Sequence, residues 1–396
     1  MNAFQQNIER FERYAVDVIF DRRSGKGAVV LGGFLHALSR VYEGIVRLRL
    51  WLFERRVAKV HALGCLVISV GNLTVGGTGK TPIVEKLARR LADSGRKVAI
   101  LSRGYKSVPL PLRQRLLNRL RGREHATPPR VVSDGRSLLL DSARAGDEPY
   151  MLAKNLRDVV VLVDRDRVKS GLYAIEKFGA DTLLLDDGFQ YLPLKERSDV
   201  ILIDRESPFG NGHLLPRGML REPPAHLKRA DLIFITKCDG SDLSALKQEI
   251  RLLNRHAPLI ECRHEPQWLE NLHTGERKPL DFLQGQRVGA VSGIARPQSF
   301  ENSLRKLGAE ICYSRQFADH HRYDRDEVAN ALLRSKARTA RIVMTTEKDA
   351  VRFPALDEPA LPVYFLRVEI QTLHNGAALD AFLDRHAPAP APALAA

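Results

Sequence analysis

The sequence predicts an α/β fold in which a parallel sheet forms the core, a smaller α/β domain follows, and an amphipathic helix precedes both. Short apolar runs alternate with stretches of helical spacing along most of the chain. Strands that are apolar on both faces are typical of parallel sheets covered by helices. Near the N-terminus the apolar residues recur instead every three or four positions, which predicts a helix with one apolar face.

Two groups of apolar runs are predicted to be buried strands. Those of the core are Leu66–Val70, Lys97–Leu101, Val159–Val163, Thr182–Leu185, Val200–Ile203 and Leu232–Ile235. Those of the smaller domain are Val288–Val291, Glu310–Tyr313, Ile342–Thr345 and Val363–Phe365. We therefore predict a helical segment at residues 1–60, a core at 61–255, a linker at 256–285, a smaller domain at 286–386 and a disordered low-complexity tail at 387–396.

The composition indicates a globular protein with anionic partners. Among 396 residues, 62 Lys and Arg oppose 47 Asp and Glu, a net charge of +15. Such a charge favours nucleic acid, a phosphorylated substrate or an acidic membrane surface. Because only 7% of residues are aromatic and no nucleic-acid-binding signature is present, no nucleic-acid partner is predicted. The four cysteines lie far apart, and no secretory signal is present, so we expect a cytoplasmic protein without disulfides.

The stretch Phe34–Arg56 is predicted to be the amphipathic helix. One face carries Leu38, Val41, Tyr42, Ile45, Leu48 and Leu52, and the opposite face carries Arg40, Glu43 and Arg47. No run of about 18 uncharged apolar residues occurs, so a membrane-spanning helix is not predicted. The helix could lie in a membrane interface with its arginines towards anionic headgroups, or it could pack on its own domain. The residues alone favour packing.

The segment Gly71–Pro82 (GNLTVGGTGKTP) is predicted to bind the phosphates of a nucleoside triphosphate. A glycine-rich turn from a strand into a helix lets backbone N–H groups face phosphates, the lysine reach the β- and γ-phosphates, and the following hydroxyl bind Mg²⁺. The opening glycine of the usual motif is replaced here by a threonine. The predicted ATP-binding residues are Thr74, Val75, Gly76, Gly77, Thr78, Gly79, Lys80 and Thr81.

Carboxylates and histidines supply the other candidate groups. Asp186 and Asp187 end a predicted strand, so one of them is expected to hold Mg²⁺ with Thr81, although an Asp-Gly turn is the structural alternative. Asp147 in GDEP lies directly before a predicted helix, and its side chain could cap that helix. In FADHH, the adjacent histidines could form a metal site or an acid–base group, but the residues alone favour a surface histidine pair. The segment TKCD (236–239) has the spacing of a guanine-reading motif, which we interpret as accidental.

Together these motifs resemble the tetraacyldisaccharide 4'-kinase family, the lipid A kinases of Gram-negative bacteria. The resemblance covers about residues 34–370 and rests on GNLTVGGTGKTP, RGY, GDEP, DDGFQ, PRGMLREP, FADHH and TTEKDAVR in this order. The chain departs from the family at Tyr191, where histidine is usual, in a long basic loop at 103–130, and in its first 30 residues. The resemblance implies a P-loop core joined by a two-stranded linker to a smaller domain.

The resemblance also implies an activity, transfer of the γ-phosphate of ATP to the 4'-hydroxyl of tetraacyldisaccharide 1-phosphate. It assigns Asp147 as the base and His320 as its partner, with Lys80 on the phosphates; the choice of His320 over His321 rests on analogy. Arg221 and Arg103 are candidates for binding substrate phosphate. The implied location is the cytoplasmic face of the inner membrane, held peripherally by the N-terminal helix, and no obligatory protein partner is implied.

Other classes of protein use related loops. A partitioning-type ATPase carries a lysine where this chain has Val75, and a regulatory GTPase would use TKCD to select guanine. A membrane-binding module with a structural loop is the third alternative. The presence of Lys80, Thr81, Asp147 and both strand-end aspartates in one chain favours an enzyme.

Overall fold

The computed structural model describes residues 10, 14–104, 127–195, 197–356 and 358–386. The chain divides into two compact units, each assembled from separate stretches. Unit 1 comprises Met1–Lys80, Asp187–Cys262 and Thr372–Phe382, and unit 2 comprises Thr81–Asp186, Arg263–Gln371 and Leu383–Ala396.

Helices and strands alternate along the described chain. The helices are α1 (Lys26–Glu54), α2 (Lys80–Asp93), α3 (Ser142–Ala145), α4 (Asp147–Asn155), α5 (Arg167–Phe178), α6 (Ser244–Leu253), α7 (Pro297–Lys306), α8 (Arg325–Ala337), α9 (Glu347–Ala350) and α10 (Gly376–Asp384). The strands are β1 (Leu66–Asn72), β2 (Val98–Ser102), β3 (Arg130–Asp134), β4 (Val160–Val163), β5 (Thr182–Asp186), β6 (Arg197–Asp204), β7 (Leu232–Thr236), β8 (Leu259–Asn271), β9 (Arg277–Lys278), β10 (Arg287–Ser292), β11 (Glu310–Gln316), β12 (Ile342–Thr346) and β13 (Val363–His374).

Unit 1 contains a parallel sheet in the order β8-β7-β6-β1. Its apolar core includes Phe189, Ile203 and Ile233, all of them fully or almost fully buried. Strands β1, β6 and β7 end in polar residues, Asn72, Asp204 and Thr236. Because these strands are parallel, their carboxyl ends meet at one edge of the sheet, where α/β proteins bind their ligands.

Unit 2 contains two groups of paired strands. In one group β5, β2 and β4 are parallel and β3 lies antiparallel to β4. In the other, β11, β10, β12 and β13 are parallel in that order. The strand β9 pairs with β8 in an antiparallel ladder. Buried apolar residues such as Leu304, Met344, Val343 and Leu332 pack against the second group.

The predicted α/β architecture is confirmed, and each predicted strand is present. The apolar runs do not predict β3, β8 or β9; β8 and β9 pair with each other in the region predicted as the linker, for which the resemblance implies two strands. The long strand β8 lies in the region predicted as a linker, because its charged residues and Pro266 break the apolar pattern that indicates a strand. The helix α1 begins at Lys26, earlier than expected. Most of the basic loop (105–126) and the tail (387–396) lie outside the described residues.

Two adjacent leucines of α8 test this packing. Leu332 is 1% exposed in the core of unit 2, whereas Leu333 is 56% exposed. We expect Leu332→Ala to lower the free energy of unfolding by about 2–5 kcal/mol, because it leaves a cavity in the core. Leu333→Ala, the matched control, should change it by less than about 0.5 kcal/mol. Urea unfolding monitored by circular dichroism measures both, and equal effects would contradict the assigned face.

Candidate active site

The loop between β1 and α2 has the conformation that a phosphate-binding loop requires. Gly76 and Gly79 have φ values of 111° and 84°, which residues with a Cβ rarely adopt. The side chain of Asn72 donates from Nδ2 to Thr78 Oγ1 at 3.0 Å. Lys80 Nζ in turn donates to Asn72 Oδ1 at 3.3 Å. Asn72, which sequence reasoning passed over, therefore fixes both the loop and the lysine.

The start of the loop is fixed by a neighbouring segment of unit 1. Val75 N–H donates to the Met219 carbonyl at 2.8 Å. Thr74, which replaces the usual glycine, is buried and forms an isolated β-bridge with Leu220. The threonine is therefore accommodated by pairing with the PRGMLREP segment.

Asp187 lies among cations at the end of β5. Its backbone is left-handed, with φ 54°. Arg221 binds the carboxylate through both terminal nitrogens at 2.8 Å, and Lys80 Nζ lies 3.5 Å from Oδ1. Burial opposes ionisation, but the hydrogen bonds and charges of Arg221 and Lys80 outweigh it and hold the pKa of Asp187 well below its usual range. Asp187 therefore stays ionised and fixes both cations.

Asp186 has a different environment. It is the last residue of β5, it is buried, and its Oδ2 accepts a hydrogen bond from Ser102 Oγ at 3.1 Å. Thr81, in the first turn of α2, is also buried. These residues offer a carboxylate and a hydroxyl, the hard oxygen ligands that Mg²⁺ prefers. Among the described residues, no group of three or more His, Cys, Asp and Glu side chains could hold a metal ion by itself.

Asp147 and His320 are brought together in unit 2. The Nδ1 atom of His320 lies 3.1 Å from Asp147 Oδ2, and both side chains are largely buried. Asp147 is the first residue of α4, and Gly146 is the N-cap. The alternative in which Asp147 caps the helix is therefore wrong, and its carboxylate is directed to the histidine instead.

The adjacent histidine has other partners. His321 Nε2 lies 2.8 Å from Glu327 Oε2, and its ring stacks on Phe317 with centroids 4.7 Å apart. The two histidines thus point to different groups: His320 contacts Asp147, and His321 contacts Glu327.

Two further cations surround the Asp147–His320 pair. Lys348 Nζ donates to Glu148 Oε1 at 2.9 Å and lies 3.5 Å from His320 Nε2. Arg352 Nε lies 3.6 Å from Asp147 Oδ2. Both belong to the TTEKDAVR segment. This segment contributes to the family resemblance, but the sequence indicates no role for its individual residues.

Two further features singled out in the sequence, Arg103 and the TKCD segment, have other surroundings. Arg103 is exposed just after β2, beside the segment that begins at residue 105 and lies outside the described part of the chain. In TKCD, Lys237 pairs with Asp204, and Asp239 pairs with Arg205 at 2.6 Å. The charged residues that would read a guanine base are therefore bound to their own neighbours.

The helix α1 is attached to unit 1 along one face. Ser39 Oγ donates to the Leu214 carbonyl at 2.8 Å, Tyr42 Oη donates to the Arg221 carbonyl at 3.0 Å, and Arg49 donates to the Gln190 carbonyl at 3.1 Å. Tyr42 therefore faces the core, as expected if the apolar face packs on its own domain.

An exposed apolar stripe follows the other face of α1. Its members, all at least 40% exposed, are Val30, Phe34, Leu38, Val41, Ile45, Leu48 and Trp51. The helix is long and apolar enough to cross a membrane, with a mean hydropathy of 1.3 in its most apolar window. The expectation that no stretch could span a membrane is corrected in this respect, because the charged residues are few within that window.

A parallel sheet with a glycine-rich loop after its first strand and polar side chains at its carboxyl edge defines the P-loop class of nucleotide-binding proteins. Within this class, residues 31–387 match the family described as Tetraacyldisaccharide-1-P 4'-kinase, LpxK. The chain belongs to this family, and the resemblance inferred from its motifs is confirmed.

Relatives and a solved structure agree with this assignment. The tetraacyldisaccharide 4'-kinase of Anaeromyxobacter dehalogenans (strain 2CP-C) is 40% identical over 91% of this chain and 92% of its own length. That of Geobacter sulfurreducens is 39% identical over 91% of this chain and 95% of its own length. The crystal structure of LpxK from Aquifex aeolicus in complex with ATP matches with a TM-score of 0.70 at 30% identity, covering 90% of this chain and 100% of that one.

The environment of Asp187 predicts a pH-dependent contribution to stability. Because its pKa is lower in the folded chain than in the unfolded one, the contribution is complete above the ordinary aspartate pKa of about 3.9 and is lost as the pH falls towards the folded value. We expect Asp187→Asn to lower the melting temperature at pH 7. The difference from the unmodified chain should shrink as the pH falls below about 4. A difference that stays constant down to pH 3 would contradict this assignment.

Proposed function

We propose that this protein transfers the γ-phosphoryl group of ATP to the 4'-hydroxyl of tetraacyldisaccharide 1-phosphate, as the names of its relatives indicate for them. The observation that carries the proposal is the buried contact between Asp147 and His320, since a transfer to an alcohol needs a base in addition to a phosphate loop. Family membership supplies the acceptor class.

Residues 74–81 would hold the triphosphate through backbone N–H groups, with Lys80 on the β- and γ-phosphates. Thr81 and Asp186 would hold Mg²⁺ through oxygen atoms, and Asp187 would serve instead to position Lys80 and Arg221. Of the two strand-end carboxylates, Asp186 is the better ligand because Asp187 is bound by both cations. When bound, Mg²⁺ neutralises charge that develops on the phosphates.

Asp147 would act as the base. Its carboxylate takes the proton of the acceptor hydroxyl as the hydroxyl oxygen bonds to the γ-phosphorus and the bond from that phosphorus to the bridging oxygen of ADP breaks. His320 Nδ1, which lies 3.1 Å from Asp147 Oδ2, would donate to the carboxylate and so orient it towards the acceptor hydroxyl.

ATP is the expected nucleotide. The ion pairs Lys237–Asp204 and Arg205–Asp239 engage the charged groups that a guanine-reading segment would present to the base. Selection for guanine would require both pairs to break, so ATP is favoured over GTP.

The helix α1 would attach the protein peripherally to the cytoplasmic face of the inner membrane. Its exposed apolar stripe would enter the interface, and Arg40 and Arg47, whose side chains are 72% and 66% exposed, would meet anionic headgroups. The bonds from Ser39, Tyr42 and Arg49 to unit 1 favour a helix that lies along the surface over one that crosses it.

Substitutions at the base and the loop test the chemistry. In a transfer assay with tetraacyldisaccharide 1-phosphate, we expect Asp147→Ala to lower kcat by about 100- to 10,000-fold because the base is lost. Lys80→Ala should lower it by at least about 100-fold because phosphate charge is no longer stabilised.

His320→Ala should lower kcat substantially, whereas His321→Ala, the matched control, should have little effect. Nearly normal turnover by Asp147→Ala would refute the proposed base.

The exposed stripe of α1 has its own test. Ile45 and Leu48 are 59% and 56% exposed within it, and Leu333 is 56% exposed on a different helix. The double variant Ile45→Ser with Leu48→Ser should weaken partition onto anionic phospholipid vesicles at least about tenfold, because two apolar side chains no longer enter the interface. Leu333→Ser should float with the vesicles like the unmodified protein. Unchanged flotation of the double variant would place the membrane contact elsewhere.

A further inference from the structure

The end of the TTEKDAVR segment carries a buried ion pair that the proposed chemistry does not use. The side chains of Asp349 and Arg352 are both 0% exposed, and Asp349 Oδ1 lies 2.7 Å from Arg352 Nη2. An ion pair taken out of water is tolerated only when further hydrogen bonds satisfy both partners. The groups that supply those bonds therefore indicate what the pair does.

The guanidinium of Arg352 donates hydrogen bonds to backbone carbonyls of three separate segments of unit 2. Its Nε donates to the Lys348 carbonyl at 3.0 Å, in α9. Its Nη1 donates to the His321 carbonyl at 2.9 Å, and its Nη2 donates to the Gly293 carbonyl at 3.2 Å. One guanidinium thus connects α9, the turn that contains both histidines, and the residue that follows β10.

Asp349 binds residues close to the same turn. Its Oδ1 accepts from the Gly293 N–H at 3.0 Å and from Tyr323 Oη at 2.8 Å. Burial, and then the charge of Asp349, raise the pKa of the Tyr323 phenol, so the phenol remains a donor. A Cβ at Gly293 would lie only 2.7 Å from Tyr323 Oη, which explains the glycine at this position.

These contacts converge on the backbone of His320. His320 has φ 61°, a left-handed conformation that is uncommon for residues other than glycine and persists only where its surroundings enforce it. Its N–H donates to the Gly293 carbonyl at 3.1 Å, the same carbonyl that Arg352 binds. From this conformation the His320 ring reaches Asp147, and Arg352 Nε lies 3.6 Å from the same Asp147 oxygen.

We infer that Asp349, Arg352 and Tyr323 are positioning residues, which hold the His320 turn in its left-handed conformation and so set the distance between His320 and Asp147. This inference rests on the proposed function, since it takes the Asp147–His320 pair to perform the proton transfer. Asp349 and Tyr323 act through the turn that carries His320, whereas Arg352 acts through that turn and also on the Asp147 carboxylate, which its Nε approaches to 3.6 Å.

The test is a double-mutant cycle between the cluster and His320. In the lipid-transfer assay, Arg352→Met should lower kcat by about 100-fold, because a small displacement of a catalytic group has an effect of that size. The KM for ATP should stay within about twofold, since the cluster is inferred to position the base and not to bind the nucleotide. In the His320→Ala background, Arg352→Met should lower kcat by less than about tenfold, because the part of its effect that depends on His320 is gone and only its own contact with Asp147 remains.

Two further variants keep the test decisive if Arg352→Met fails to fold. Tyr323→Phe removes one donor to Asp349 and keeps the shape of the ring, so it should lower kcat by a smaller factor that also disappears in the His320→Ala background. Arg305→Met is the control: it removes another arginine–carboxylate pair of unit 2, with Glu301, that does not contact the histidine turn. Its kcat should match that of the unmodified protein.

The outcomes separate this inference from the function on which it rests. If Tyr323→Phe and Arg352→Met lower kcat by the same factor with and without His320, or leave kcat unchanged in the unmodified background, the positioning role is refuted. If His320→Ala and Asp147→Ala retain normal transfer, it is the proposed function that fails.

Discussion

The burial of the Asp147 carboxylate is the constraint on which the arrangement of unit 2 depends. A carboxylate that is 7% exposed needs partners, and it finds His320, which lies 173 residues further along the chain, and the guanidinium of Arg352. Because the buried carboxylate needs these partners, it contacts His320 and does not cap its own helix. The same need explains why a histidine adopts a left-handed backbone and why a fully buried ion pair supports the turn that carries it.

At the phosphate loop of unit 1 the charges are reversed: two cations are compensated by one carboxylate. There the cations are in excess, and Asp187 binds both Lys80 and Arg221, while Asn72 contacts the same two residues. Cations and N–H groups that are held in place stabilise phosphate charge without reorganising during the reaction. The tyrosine of α1 that binds the Arg221 carbonyl connects the apolar helix to this cluster, so the exposed apolar stripe and the phosphate loop share one folded unit.

Much of the fold could be predicted from the sequence because parallel strands and the phosphate loop are encoded locally. The apolar runs that became β1, β5, β7 and β10 are continuous, and the glycine-rich turn follows directly from its spacing. The choice between His320 and His321 could not be made locally, since adjacent side chains differ only in what the tertiary structure places beside them. Arg352 is a further case, because a surface arginine and a buried one have the same sequence signal. The charges of β8 hide it from a search for apolar runs, so only the resemblance implies strands in the linker. Helical spacing groups Tyr42 with Leu38, Val41, Ile45 and Leu48, but it does not show that Tyr42 packs on the domain while the other four stay exposed.

The central claim, a kinase acting on a lipid-linked sugar hydroxyl, is tested most directly by following labelled γ-phosphate. The purified protein is given tetraacyldisaccharide 1-phosphate in detergent micelles with Mg²⁺ and either γ-labelled ATP or γ-labelled GTP, and the label is located by chromatography. We expect label from ATP to appear in a lipid product that carries a second phosphate, with much less product from GTP and none without the divalent ion. Release of labelled inorganic phosphate with no lipid product, or a clear preference for GTP, would contradict the claim.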